Sequence, residues 1–389
     1  MNRDFEFFNP TQVFFGKTAM DALPTALDMF GENVLLAYGG GSIKANGVYD
    51  QVMAALQRAG KRVTEFTGIM PNPTYAKVLE GGALARECEA DLILAVGGGS
   101  VMDSAKAVAI AAVEDGDLWT KYWVEKRELD CMPIPVGAIV TMVGTGSEMD
   151  GDAVVTNEET MKKTSCWDYA LYPKFAILNP EFTYSVPEYQ MVSGIFDILS
   201  HIMEIYFSPE DEDNISDDFA EALMKSVIRN TAVALENPRD YTARSNLMWA
   251  STLALSGILS PSKREDWEAH QIEHQLGAYY DCAHGMGLAA VSPAYYRLIC
   301  PYGLPKFKRF AVNVWGVDPT GKSDQAVALE GIDALAAFIR DSRMTPTLRA
   351  LGITDDSKFQ EIAESCNLRK GGYHTLTRQE IMQILRDSF

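Results

Sequence analysis

The feature that most narrows the possible folds is the run Asp91–Val96, apolar at nearly every position, which passes directly into GGGSVMDSAKAVAIAAV. A strand with one wet face alternates apolar and polar residues, whereas a parallel strand covered on both faces is apolar throughout. The glycines stop the strand, and the segment after them is a strong helix former. The chain therefore carries a strand, glycine turn and helix of the kind that builds parallel α/β sheets. The same arrangement occurs upstream, where apolar Val34–Tyr38 enters Gly39-Gly40-Gly41-Ser42 and Val48–Ala59 follows with helical spacing. Further strands are expected over Lys61–Phe66, Pro133–Thr141 and Lys174–Leu178, and a helix over Thr74–Cys88 after the Pro71-Asn72-Pro73 turn. Aromatic and polar residues alternate from Phe5 to Phe15, which predicts one or two strands at a sheet edge.

Beyond about Ser185 the pattern changes. Pro187–Phe207, Ile215–Glu236, Tyr241–Leu259 and Gln325–Ser342 have helical spacing, and almost no strand pattern survives. At 389 residues the chain can bury two cores. The reading is an α/β Rossmann-like domain over residues 1–184, followed by an all-α domain over 185–389. The acidic run PEDEDN at 209–214 reads as a solvated loop.

Glycine turns that lead into helices let backbone N–H groups approach a phosphate. Gly97-Gly98-Gly99-Ser100 suits a pyrophosphate, with Asp103 one helical turn further on. Strict G-x-G-x-x-G spacing is absent. The first turn, Gly39–Ser42, offers N–H groups and a hydroxyl, with no acid before Asp50. An acidic residue commonly holds the unphosphorylated ribose, so its absence favours NADP(H).

The five histidines are distributed very unevenly. His270, His274 and His284 fall within DWEAHQIEHQLGAYYDCAHGMG, and His201 follows Asp197 by four residues in GIFDILSHIMEIYF, leaving only His374 elsewhere. Residues four apart share a helical face, which pairs Asp197 with His201 and His270 with His274. Three histidines and an aspartate make a full ligand set for a divalent ion such as Zn²⁺ or Fe²⁺. An S-x-x-E box at Ser262 and Glu265 is expected to start the second of these helices.

Charge and cysteine usage exclude several classes. With 34 basic against 53 acidic residues the net charge is −19, a surface that repels nucleic acid and anionic membrane. The six cysteines, Cys88, Cys131, Cys166, Cys282, Cys300 and Cys366, include no C-x-x-C pair and suggest neither a disulfide framework nor a thiolate zinc knot. No basic start followed by an apolar run is visible, and no stretch of membrane-spanning length. A cytoplasmic small-molecule enzyme is expected.

Taken together, GGGSVMDSAK, TMVGTGSE, G-x-x-D-x-x-x-H at Gly194–His201, and the histidine spacing from His270 to His284 before Gly285 resemble the iron-containing alcohol dehydrogenase family. The resemblance is strongest to its NADPH-dependent butanol dehydrogenase and aldehyde reductase branch. It implies metal ligands at Asp197, His201, His270 and His284, with His274 near nicotinamide and substrate. It also implies cofactor contacts from Gly39, Gly40, Gly41, Ser42, Asn72, Gly97, Gly98, Gly99, Ser100, Asp103, Thr141, Thr145 and Ser147. Lys163 is the candidate second partner of the 2′-phosphate, with Lys162 adjoining it. The family plan implies an active site in the cleft between the two domains, a homodimer joined through Phe5–Phe15, and iron or zinc as the metal.

The implied reaction is hydride transfer between NADP(H) and a small aldehyde or primary alcohol, with His274 and Asp103 in catalytic positions. A lyase resembling dehydroquinate synthase, a polyol dehydrogenase and a non-catalytic nucleotide-binding protein share the two-domain plan. Trp267, Tyr279, Tyr280 and Met286 beside the histidines favour a neutral, fairly apolar substrate over a phosphorylated one.

Overall fold

The computed structural model describes residues 3–209 and 213–389, so part of the acidic run at 209–214 lies outside the described residues. The chain divides into two compact units, one over Asn9–Val186 and the other over Pro187–Phe389 together with the residues up to Phe8.

In the first unit, β1 (Gln12–Phe15), β2 (Asn33–Tyr38), β3 (Arg62–Phe66), β4 (Leu92–Gly97), β5 (Val136–Val140) and β8 (Phe175–Leu178) form one sheet in the order β1-β8-β5-β4-β2-β3. Every pairing in it is parallel. Its connecting helices are α1 (Leu23–Leu27), α2 (Ser42–Ala45), α3 (Val48–Arg58), α4 (Tyr75–Glu87) and α5 (Gly99–Ala111). β4 is buried along its whole length, as its uninterrupted apolar run requires. β2 has β3 on one side and β4 on the other, so the chain reverses direction across the sheet between β2 and β4. Ligands of open α/β sheets bind at such a switch point, beyond the C-terminal strand ends. The turns Gly39–Ser42 and Gly97–Ser100 leave the sheet there.

Only Gln12–Phe15 of the expected Phe5–Phe15 segment is a strand. Pro10 lacks an N–H for a ladder, and side chains hold its neighbours instead. Thr11 Oγ1 donates to the Pro173 carbonyl (2.7 Å) and Asn9 Nδ2 to that of Met149 (2.9 Å). An antiparallel hairpin of β6 (Asp152–Asn157) and β7 (Lys162–Trp167), absent from the sequence reading, follows β5.

The second unit is helical: α6 (Glu188–Tyr206), α7 (Ile215–Glu236), α8 (Tyr241–Leu255), α9 (Glu268–Tyr280), α10 (His284–Ile299), α11 (Leu304–Asn313), α12 (Asp324–Asp341), α13 (Phe359–Ser365) and α14 (Arg378–Asp387). The S-x-x-E box does not start α9. Ser262 is left-handed (φ 67°) and its hydroxyl donates to the Arg3 carbonyl, while Glu265 accepts from the Trp267 indole N–H (2.6 Å). Both box residues are thus committed elsewhere, and the helix begins three residues later, after left-handed Trp267. No helix among the described residues is long and apolar enough to cross a membrane.

Candidate metal centre and nucleotide site

The helical unit brings Asp197, His201, His270 and His284 together. Asp197 and His201 lie one turn apart on α6, and His270 occupies the first turn of α9. Left-handed Asp281 ends α9, and a short turn then starts α10 at His284 itself. The Nε2 atoms of the three histidines stand 3.6, 3.7 and 3.4 Å from one oxygen, Asp197 Oδ1. These separations are too long for hydrogen bonds. Four ligands about 2.1 Å from a tetrahedral cation would be about 3.4 Å apart. Asp197 Oδ1 and His270 Nε2 are buried and make no hydrogen bond, so the donor set fits a divalent ion.

The electrostatics agree. Burial works to raise the Asp197 carboxyl, yet His201 and His284 beside it outweigh burial and hold it well below the usual carboxylate range. Burial works to lower His270, but Glu204, joined by Asp197, raises it to about 10. A pocket that favours positive charge this strongly suits a cation in the proton's place. His274 is buried one turn beyond His270, and its ring centroid lies 5.7 Å from that of His284. Glu273, His274 and His284 form a second group of close ligand atoms, but Glu273 is bonded to His284 Nδ1. The convergence of three Nε2 atoms on Asp197 therefore marks the stronger centre.

Two glycines make this geometry possible. A Cβ on Gly285 would lie 1.8 Å from the Ser193 carbonyl oxygen, so only glycine lets α10 meet α6 beside Asp197. A Cβ on Gly287 would stand 2.9 Å from Glu273 Cγ, so its absence leaves room for that side chain.

Sequence reasoning missed Glu204 and Glu273. The Nδ1 of His270 is bonded to Glu204, and that of His284 to Glu273. A signal was present, because each acid follows a candidate ligand histidine by three residues. Of the four apolar candidates, only Trp267 is placed against the histidines, with centroids 5.9 Å from His201 and 5.3 Å from His270. Met286 is core and accepts from the Thr345 N–H. Tyr279 and Tyr280 sit at the far end of α9.

In the α/β unit the predicted nucleotide contacts fall into one neighbourhood. Ser100 Oγ donates to the Pro71 carbonyl, and Lys163 Nζ donates to Asn72 Oδ1 (3.1 Å). Lys163 is buried, whereas Lys162 is half-buried. Thr141 N–H donates to the Gly97 carbonyl (2.9 Å), and the Ser147 N–H donates to Thr145 Oγ1 (3.2 Å). A Cβ on Gly99 would lie 2.3 Å from Thr145, so the second turn can approach that loop only as glycine. The first turn adjoins the same region through the Gly68 N–H, which donates to the Gly39 carbonyl (3.2 Å).

Asp103 is tied into a buried chain that sequence reasoning did not foresee. Ser147 Oγ donates to Asp103 Oδ1 (2.6 Å), while Lys106 Nζ donates to Ser147 Oγ (2.9 Å), Asp150 Oδ1 (2.6 Å) and the Asp152 carbonyl (2.9 Å). Burial pushes Asp103 up to about 7, against the lowering effect of Lys106. A carboxyl raised above its unfolded value of about 3.9 contributes stability below that value, and the contribution is lost as pH rises through 7. The upper limit is roughly 4 kcal/mol. Between pH 5 and pH 8 the melting temperature of wild type should fall further than that of Asp103→Asn, and parallel falls would contradict this assignment.

A parallel sheet with glycine turns at its switch point, joined in one chain to a histidine–carboxylate cluster, is the plan of a metal- and nucleotide-dependent enzyme. Comparison with known proteins makes the class specific. The chain belongs to the iron-containing alcohol dehydrogenase family: residues 10–180 match the profile of that family, and residues 191–389 match that of its C-terminal domain. It is 37% identical over 388 residues to a probable NADH-dependent butanol dehydrogenase of Bacillus subtilis, covering 99% of this chain and 100% of that one. It is 36% identical over 340 residues to the NADPH-dependent aldehyde reductase of Escherichia coli, covering 87% and 85%. The crystal structure of NADH-dependent butanol dehydrogenase A from Thermotoga maritima superposes with a TM-score of 0.93 at 35% identity, over 99% of this chain and 98% of that one.

Proposed function

We propose that this family member transfers hydride between NADP(H) and small aldehydes or primary alcohols of butanal and butanol size, at a divalent ion held by Asp197, His201, His270 and His284. The observation that carries this reading is the convergence of three histidine Nε2 atoms on one buried Asp197 oxygen. When bound, the ion, Fe²⁺ or Zn²⁺, supplies Lewis acidity toward the carbonyl oxygen, and the nicotinamide supplies or accepts hydride. His274 relays the proton that the product oxygen takes up, directly or through water, a task suited to imidazole. Trp267 presents an apolar wall to the ligand histidines, which favours an uncharged substrate. The protein works as a cytoplasmic homodimer.

The phosphorylated cofactor is favoured by the first glycine turn. No carboxylate occurs in Gly39–Ser42, and the exposed Glu65 of the neighbouring strand already accepts from Tyr38, Tyr49 (2.7 Å) and Lys44 (3.2 Å). Lys163, on Asn72, is the proposed second partner of the 2′-phosphate. The NADH-dependent relatives supply the competing reading. A Cβ on Gly39 would lie 3.1 Å from the Ile69 carbonyl, so an aspartate fits there with a small adjustment. Gly39→Asp should move the kcat/KM ratio from NADPH toward NADH by at least about tenfold, through the repulsion of one charge. An unchanged ratio would count against this placement.

The direct test is NADPH oxidation with butanal, using protein stripped by chelator and refilled anaerobically with Fe²⁺ or Zn²⁺. Metal-dependent turnover, faster than with NADH, is expected. No turnover with either metal and either nucleotide would favour a lyase or a non-catalytic protein.

A further inference from the structure

We propose that Glu204 and Glu273 are positioning residues of the metal centre, each setting the tautomer of a ligand histidine on the next ligand-bearing helix, and that Glu204 does so while capping α9. The inference rests on the ligand reading given above.

The two acids follow one rule. His201-Ile202-Met203-Glu204 lies on α6, and Glu204 holds His270 of α9. His270-Gln271-Ile272-Glu273 lies on α9, and Glu273 holds His284 of α10. Each of these helices thus supplies a histidine ligand and, three residues later, the carboxylate that orients the histidine of the next ligand-bearing helix. An ionised carboxylate only accepts hydrogen bonds, so the Nδ1 facing it must carry the proton. The same ring's Nε2 is then left with its lone pair, and in both histidines that atom faces Asp197.

Glu204 has a second task. The N-cap residue of α9, Trp267, is left-handed and makes no side-chain cap, its indole N–H being spent on Glu265. The first-turn N–H groups of Ala269 and His270 donate instead to Glu204 Oε2, at 3.0 and 3.4 Å. The other oxygen, Oε1, accepts from Ser200 Oγ (3.2 Å) as well as from His270 Nδ1. A carboxylate from α6 therefore caps α9 and fixes the ring of its first ligand at once. The backbone and the imidazole of His270 are held by the same group.

Glutamine separates the two tasks. In Glu204→Gln the amide oxygen can still take the Ala269 and His270 N–H groups, but the amide NH₂ then faces Nδ1. That contact makes Nδ1 an acceptor and places the ring proton on Nε2, where it blocks the metal. Full-length protein stripped of metal is titrated with Zn²⁺ or Co²⁺ against a chelating indicator, and the melting temperature of each metal-free variant is recorded. Glu204→Gln and Glu273→Gln should each weaken metal binding by about 10- to 100-fold, with metal-free melting close to wild type. Glu204→Ala should lower metal-free melting as well, because the cap is lost. Wild-type affinity in both glutamine variants would overturn the inference while leaving the ligand reading intact. Full metal binding by His284→Ala would overturn the ligand reading and the inference together.

Discussion

Alanine in place of His270 or His284 should remove the bound cation and turnover together. The proposed set of three imidazoles and one carboxylate has no spare ligand, and the three histidines reach Asp197 from three different helices. Losing Lewis-acid stabilisation of the developing oxyanion costs several kcal/mol. A thousandfold loss in kcat corresponds to about 4 kcal/mol, and at least this is expected. Metal content per chain by elemental analysis, measured alongside kcat, checks the result. An active variant without metal would refute the site.

Gly285→Ala should cost nearly as much, although Gly285 has no side chain to offer a ligand. Its new Cβ would meet the Ser193 carbonyl at 1.8 Å, a contact that backbone cannot relieve by rotating a side chain. Overpacking in a core costs about 1–3 kcal/mol where side chains can give way, and more where they cannot. The neighbouring residue is His284, so relief must come from moving the first turn of α10 away from Asp197. A displacement near 1 Å at a reacting group costs on the order of a hundredfold. The expected result is a lower melting temperature, weakened metal binding and kcat/KM reduced by at least about a hundredfold. Wild-type metal affinity in a stably folded Gly285→Ala protein would show that the two helices do not need this approach.

Much of the architecture was legible from periodicity because the physics is local. The nearly continuous apolar run at Asp91–Val96 announced a strand covered on both faces, and the observed β4, Leu92–Gly97, is buried throughout. The loss of strand pattern after Ser185 anticipated the helical unit, whose first helix begins at Glu188. The failures came where a local preference met a distant partner. Ser262 and Glu265 form a capping box by spacing, but the Arg3 carbonyl and the Trp267 indole claim their side chains. The alternation at Phe5–Phe15 suggested a longer strand than Pro10 permits.

The site divides in the same way. The sequence alone determined which residue types were available: a carboxylate and an imidazole one turn apart on one helix, two more imidazoles at His270 and His284, and glycine turns after buried strands. Helical spacing and turn chemistry act within a few residues, so these could be read directly. Only the tertiary structure decided that three Nε2 atoms meet at Asp197, that Lys106 binds Ser147 and Asp150, and that Glu204 reaches the start of α9. Apart from the one-turn pair Asp197 and His201, those contacts join residues 41 to 87 positions apart in the chain. They are selected by the cost of leaving buried polar groups unpaired, a cost that exists only once the helices have packed.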